Sequence, residues 1–296
     1  MNIIKPARLK KGDTIGILAT SGPIRQDSMP ILTAVDYFKK SGYKTVVSND
    51  IYKEDRYLAG SDETRLKDLH EFFENSQINA IICLRGGYGV LRLINKIDYS
   101  IIRNNPKIFC GYSDVTALSL MFLKRSGLIT YSGPMIMSDF AEPERSNYTM
   151  NEFFKAVSSD KYSIHGANII KHDKAKGILW GGNLSTVVSL CGLDFIPDEP
   201  FIFFAEDINE PVYKIDKMFR QLLNIDKFRE NIKGLCLGDF SNTDNKEWLL
   251  KLFMELADEL NIPASVGFKF SHTACKTTVP IGASAILNGK ELFIHE

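Results

Sequence analysis

From residue 13 to residue 110, short unbroken apolar runs alternate with segments of helical period, and no other feature of the chain restricts its fold as tightly. The runs form the cores of residues 13–19, 44–48, 79–84 and 107–110, whose opening positions are polar. None shows the in–out alternation of a strand with one wet face, so each reads as a strand buried on both sides. Helical patterns lie between them: residues 29–40, stopped by Gly42; a segment with Leu66, Leu69, Phe72 and Phe73 along one side; and a piece from Val90 to about Lys96. Ser61 and Thr64 stand where a capping box would open the second of these. Buried strands joined by helices predict an α/β fold on a parallel sheet covered on both faces. Ligand-binding groups in such sheets gather beyond the carboxyl ends of the strands, where Gly86, Gly87 and Ser113 all fall.

The fourth run leads through Gly111-Tyr112-Ser113-Asp114 into an amphipathic helix. A serine at the tip of a strand-to-helix turn has its hydroxyl lifted above the sheet, with helical N–H groups beyond it that can bind an oxyanion. That is the geometry of a nucleophile elbow, although the usual second glycine, two residues after the serine, is Val115 here. The same residues also suit a plain helix cap by Ser113 or Asp114. After the third run, Arg85-Gly86-Gly87-Tyr88-Gly89 offers backbone N–H groups at a turn, as a phosphate cradle or as half of an oxyanion hole. It has neither the Lys-Ser/Thr of a P-loop nor the spacing of a dinucleotide fingerprint, which argues against nucleotides.

A serine nucleophile needs a base in reach, and the base needs an orienting carboxylate. Of five histidines, His272 follows a strand-like run in a turn of small polar residues and is the best-placed base. Glu206 follows the apolar run 201–205, at the mouth of another strand; Asp207 and Glu210 satisfy the same spacing. No pair of histidines at helical spacing and no Cys/His cluster suggests a metal, and no cofactor is expected.

Lys plus Arg and Asp plus Glu number 36 each, so the net charge is zero and no basic footprint points to nucleic acid or an anionic membrane. No run reaches the roughly 18 apolar residues that would suggest a membrane span. Five scattered cysteines, an odd number without a CxxC pair, argue for a reducing compartment, and a cytoplasmic location is expected. Past residue 134 the pattern loosens, then changes texture, dividing the chain into residues 1–140, a linker or lid at 141–175, and a second unit at 176–296. The second unit holds strand-like runs at 201–205 and 233–238, helical patterns at 213–223 and 248–260, and a closing hairpin signalled by Asn288-Gly289.

Several short segments, in this order, make the chain resemble the LD-carboxypeptidase family of serine peptidases over nearly its whole length. They are Gly12-Asp13 with Ser21-Gly22-Pro23, Leu58-Ala59-Gly60-Ser61, Arg85 to Gly89, Gly111 to Asp114, Gly181-Gly182-Asn183-Leu184-Ser185, Glu206-Asp207 with Glu210-Pro211, and His272 before Pro280-Ile281-Gly282. The family includes muramoyl-tetrapeptide carboxypeptidases and relatives of the microcin C self-immunity proteins. The resemblance implies a flavodoxin-like N-terminal domain, a smaller β-rich α/β C-terminal domain, and a site between them. It implies a triad of Ser113 as nucleophile, His272 as base and acid, and Glu206 as orienting acid, with the oxyanion hole on the Asp114 amide and one from Gly86 or Gly87. Arg85 and Tyr88 are the candidates for substrate contact.

The reaction so implied is hydrolysis of an L,D-amide that releases terminal D-alanine from murein tetrapeptides during cell-wall recycling, by a homodimer. A peptidyl-nucleotide hydrolase of microcin C type is the second reading, and a non-enzymatic flavodoxin-like module binding a ligand at the glycine turn is the third. One departure stands beside the histidine: relatives often carry glycine where this chain has Ser271.

Overall fold

The alternation of apolar runs and helices resolves into two sheets with helices packed around and between them. The computed structural model describes residues 2–24 and 29–295. The first sheet contains β1 (Thr14–Leu18), β2 (Lys44–Val47), β3 (Ala80–Cys83), β4 (Ile108–Cys110) and β5 (Thr130–Ser132), parallel and in the spatial order 2-1-3-4-5. This is the flavodoxin-like order, whose switch point lies between β1 and β3. Helices α1 (Met29–Lys40), α2 (Asp62–Glu74), α3 (Tyr99–Asn104) and α4 (Val115–Ser126) connect these strands. Ser61 caps α2 as its position suggested, its hydroxyl accepting from the Thr64 N–H at 3.2 Å, and Leu69, Phe72 and Phe73 face the core.

One predicted helix is absent. Residues 90–96 form only a 3-10 turn, Val90–Arg92, followed by plain turns. Side-chain contacts replace the helical ladder there: Arg92 Nε and Lys96 Nζ both donate to the Asp62 carboxylate at 2.8 Å.

The remaining elements are α5 (Asn147–Ser158), β6 (Lys161–His165), β7 (Asn168–Lys171), β8 (Lys174–Asn183), α6 (Leu184–Val188), β9 (Phe201–Ile208), α7 (Val212–Leu223), α8 (Asp226–Asn231), β10 (Ile232–Ser241), α9 (Lys246–Leu260), β11 (Ala264–Val266), β12 (Val279–Ile281), β13 (Ser284–Asn288) and β14 (Glu291–His295). The second sheet runs β6-β14-β13-β8-β9-β10-β11-β7, with β8 to β11 parallel and antiparallel strands outside them. The stretch 141–175 thus supplies α5 and both edge strands, β6 and β7. Strand β12 instead joins the first sheet, antiparallel to β5.

Two features stiffen the strands that meet at the site. Trp180 of β8 is fully buried among Phe195, Phe201, Phe203 and Phe228, with ring centroids 4.9–6.0 Å away. Full burial of a large side chain contributes about 1.5–3 kcal/mol, so this cluster firmly anchors β8 to β9. Helix α4 is buried along nearly all its length, and Thr116 Oγ1 accepts from the Asn183 N–H of β8 at 3.3 Å. The start of α4 is thereby docked directly on the second sheet. The closing hairpin forms, but its two-residue loop is Gly289-Lys290 rather than Asn288-Gly289, because Asn288 still pairs with Glu291. Gly289, at φ +56°, takes the first loop position, where only glycine is unstrained. No helix among the described residues is long and apolar enough to cross a membrane.

Candidate active site

Three loops at the carboxyl ends of β1, β3 and β4 converge on Ser113. The residue sits half-buried between β4 and α4 with φ +62°. An L-residue in the left-handed region costs about 1–2 kcal/mol and persists only where the surroundings enforce it. Here the Gly111 N–H donates to the Tyr131 carbonyl at 3.1 Å, and the Ser113 carbonyl accepts from the Thr116 N–H at 2.9 Å. Asp114 does not extend toward solvent. Its carboxylate accepts from the Val90 N–H at 3.0 Å and bonds the Ser21 hydroxyl, tying the elbow to the loops after β1 and β3. Burial pushes the Asp114 carboxyl up, and those hydrogen bonds oppose the shift.

The glycine turn is held against the elbow. Buried Arg65, paired with Asp62, donates from Nη1 to the Thr20 carbonyl at 2.7 Å and to the Gly89 carbonyl at 2.9 Å. The Gly22 N–H donates to the Gly86 carbonyl at 3.3 Å. Gly86 lies so close to the serine that a β-carbon there would stand 2.8 Å from Ser113 Cβ and 3.0 Å from its Oγ. Any larger residue would displace the hydroxyl.

The acid comes from the second sheet, and the imidazole from a loop that leaves it for the first. Strand β9 continues to Ile208, so Glu206 lies within the strand, opposite Asn183 of β8, rather than just past its end. Its carboxylate Oε2 accepts from His272 Nδ1 at 2.7 Å. Glu206 is fully buried, which pushes its carboxyl up; the neighbouring imidazole and the Asn183 amide pull the other way. The other two acids are committed elsewhere. Asp207 accepts from the Ser185 N–H and the Ile208 N–H, both at 2.8 Å, and from the Asn183 amide at 3.0 Å. Glu210 pairs with Lys214 at 3.4 Å, one helical turn on.

His272 lies in the loop that runs from β11 to β12. The residue before it, Ser271, is buried at φ +48°, its hydroxyl 3.3 Å from that of Ser132. That backbone conformation is the physical reason a glycine suits the position.

His272 and Ser113 open onto one cavity of about 290 Å³, which Arg85, Gly86 and Gly87 also line. No hydrogen bond joins the serine hydroxyl to the imidazole, a contact of the kind that tightens when substrate is bound. A larger cavity of about 700 Å³ adjoins it, sharing Arg85 and Gly87 and extending to Glu54, Tyr57 and Tyr88. Tyr88 therefore sits one cavity away from the serine. The exposed Arg85 stands on the wall between the two and uses one guanidinium N–H on the Pro23 carbonyl, at 3.2 Å. Sequence reasoning passed over Tyr112, whose ring meets the His272 imidazole edge-on with centroids 5.0 Å apart. It also passed over Met135, Met137 and Ser138 on the cavity wall. Tyr112 lies inside the elbow motif, where its type was a signal; the other three had none.

Comparison with known proteins agrees with this architecture. Residues 15–133 match the LD-carboxypeptidase N-terminal domain and residues 176–287 the LD-carboxypeptidase C-terminal domain. The chain is 35% identical, over 97% of its length and 92% of the relative's, to a protein of Bacillus subtilis named a probable murein peptide carboxypeptidase. Among solved structures, an MccF-like protein from Bacillus anthracis superposes with a TM-score of 0.92 at 27% identity, covering 99% of each chain. MccF itself is the microcin C7 self-immunity protein of Escherichia coli. The muramoyltetrapeptide carboxypeptidase of Oxalobacter formigenes superposes with a TM-score of 0.88 at 32% identity, covering 96% of this chain and 99% of that one. With both domain signatures matched in order and the two-sheet architecture reproduced, this chain belongs to the LD-carboxypeptidase family.

Proposed function

We propose that the chain is a serine carboxypeptidase that hydrolyses the L,D-amide of murein tetrapeptides and releases terminal D-alanine, a cytoplasmic step in cell-wall recycling. The observation that carries this reading is the 2.7 Å bond from His272 Nδ1 to buried Glu206, on an imidazole sharing one cavity with a serine held at φ +62°. Residues 1–140 supply the nucleophile, and 176–296 the acid and the base. Glu206 fixes the tautomer in which Nδ1 carries the proton, leaving Nε2 free to accept one. His272 takes the Ser113 proton as Oγ attacks the scissile carbonyl. The tetrahedral oxyanion is stabilised by the Asp114 amide at the start of α4 and by a second amide from the Gly86-Gly87 turn. The D-amino acid departs with the proton from His272, and water then resolves the acyl-enzyme by the same route.

Arg85 retains guanidinium donors beyond the one given to Pro23, enough to fork onto the terminal carboxylate. The larger cavity, with Tyr57, Tyr88 and Glu54, takes the rest of the peptide. A homodimer belongs to the same reading. The test supplies the pure protein with L-Ala-D-Glu-diamino acid-D-Ala and follows free D-alanine by chromatography. Steady turnover of the tetrapeptide, with none of the all-L isomer, is the expected result. The second reading, hydrolysis of a peptidyl-nucleotide of microcin C type, is favoured by the superposition on the MccF-like protein. Turnover of that substrate alone would replace the first reading with it.

The close approach of Gly86 gives a sharp prediction. Gly86→Ala should leave the circular dichroism near that of the parent and lower the melting temperature modestly, because Gly86 is buried and the added carbon must push Ser113 aside. It should lower kcat by about 10²-fold or more, since a displacement of the order of 1 Å at reacting atoms has that effect. Undiminished kcat would place the nucleophile elsewhere.

A further inference from the structure

We infer that the buried Lys276–Asp139 ion pair, closed into a ring through Ser138 and Tyr112, is a positioning device that sets the His272 imidazole against Ser113. It rests on the reading of Ser113 and His272 as nucleophile and base. Lys276 Nζ pairs with Asp139 Oδ1, and both side chains are only 4% exposed. From the other carboxylate oxygen the ring continues. Asp139 Oδ2 accepts from the Ser138 hydroxyl at 2.8 Å, and Ser138 Oγ accepts from the Tyr112 hydroxyl at 3.0 Å. The ring closes where the Lys276 ammonium stands 5.1 Å from the centre of the Tyr112 ring, a cation–π distance.

Each member belongs to a segment that contributes to the site. Tyr112 precedes the nucleophile, Ser138 lies on the cavity wall, and Lys276 is on the loop that carries the imidazole. The edge of Tyr112 abuts His272 at an interplanar angle of 84°, so the tyrosine restricts rotation of the imidazole. Lys276 is further fixed by its own N–H, which donates to Thr149 Oγ1 of α5 at 2.9 Å.

Stability alone does not account for the pair. Two charges so deeply buried lose most of their Coulombic gain to desolvation, and apolar residues of similar volume commonly serve a core as well. What an apolar pair cannot supply is direction. The ion pair holds Ser138 and Tyr112 in one arrangement, and through Tyr112 it holds the imidazole.

The test is the double variant Lys276→Met with Asp139→Leu, which removes both charges together; its one cost in the backbone is the Met135 N–H, which donates to Asp139 Oδ2 at 3.0 Å and loses that acceptor. With murein tetrapeptide as substrate it should fold, melt somewhat below the parent for the lost Met135 acceptor, keep KM within about threefold, and lose about 100-fold in kcat. The rate at which a fluorophosphonate labels Ser113 should fall in parallel. Tyr112→Leu, which keeps the ion pair and removes the ring against His272 together with the hydroxyl that bonds Ser138, should show the same split and serves if the double variant does not fold. A folded variant of either kind with parental kcat overturns the inference. The underlying reading fails differently, through a Ser113→Ala protein that still turns over.

Discussion

Ser113→Ala should lower D-alanine release by about 10⁴- to 10⁶-fold, the loss seen when a triad nucleophile is removed and only binding and the oxyanion site remain. A fluorophosphonate should label the parent once per chain and leave the variant untouched. The fold should survive, because the alanine side chain still fits between Gly86 and the start of α4. Strain makes a second, independent prediction at the same residue. Alanine keeps the β-carbon that is unfavourable at φ +62°, whereas glycine does not. The left-handed conformation costs an L-residue about 1–2 kcal/mol, and glycine gives back about 0.5–1 kcal/mol in unfolded-chain entropy. Ser113→Gly should therefore be equally inactive and more stable than Ser113→Ala by about 0.5–1 kcal/mol in urea titration, the small difference that remains. If the alanine variant released D-alanine at the parental rate, the nucleophile would be misassigned. Parental turnover with no labelling of the parent itself would point away from serine chemistry altogether, and labelling without turnover would leave the substrate wrong.

The sequence made the fold class legible and proposed the site, and what it missed in both was fixed by tertiary contact. Unbroken apolar runs over residues 80–83 and 108–110 marked strands buried on both faces, and the glycines and serine immediately beyond them had to lie at one end of the sheet. The acid was ambiguous for a physical reason. Glu206 and Asp207 are neighbours on β9 and point to opposite faces, so periodicity alone cannot say which one meets an imidazole far along the chain. The structure distinguishes them by partners: His272 for Glu206, and Ser185, Ile208 and Asn183 for Asp207. Illegible from the outset were the features fixed only by tertiary contact. The strand β12 crosses from the far end of the chain into the first sheet, which no local pattern announces. The turn after Gly89 stays short because Arg92 and Lys96 reach back to Asp62. The Lys276–Asp139 pair joins the loop of His272 to the π-helical turn Ile136–Phe140, and neither stretch carried a pattern in the sequence.

Glu206→Gln should separate function from stability in opposite directions. A glutamine amide in place of the carboxylate no longer enforces a proton on His272 Nδ1, and the imidazole can present the wrong tautomer to the serine. A comparable change in another serine hydrolase costs about 10⁴ in kcat, and about 10³–10⁴ is expected here with KM little altered. Stability follows from the buried carboxyl. Its ordinary value is 4.5, and burial raises it in the folded chain despite the opposing pull of His272. The folded protein thus holds that proton more tightly than the unfolded chain does. As pH rises from the ordinary value through the raised one, the parent loses stability, and above it the ionised group weighs fully against the fold. Glutamine is neutral throughout. The variant should therefore melt at or above the parental temperature near neutral pH, a gain of the order of 1 kcal/mol. That advantage should shrink as pH falls below the ordinary carboxylate range, where the parent carboxyl is protonated in both states. Scanning calorimetry at several pH values reads this directly. A variant that is less stable at neutral pH, with the deficit closing in acid, would mean that the ionised Glu206 supports the fold. Retention of parental kcat would remove Glu206 from the catalytic proposal and leave the imidazole to be oriented by Tyr112 and the ring behind it.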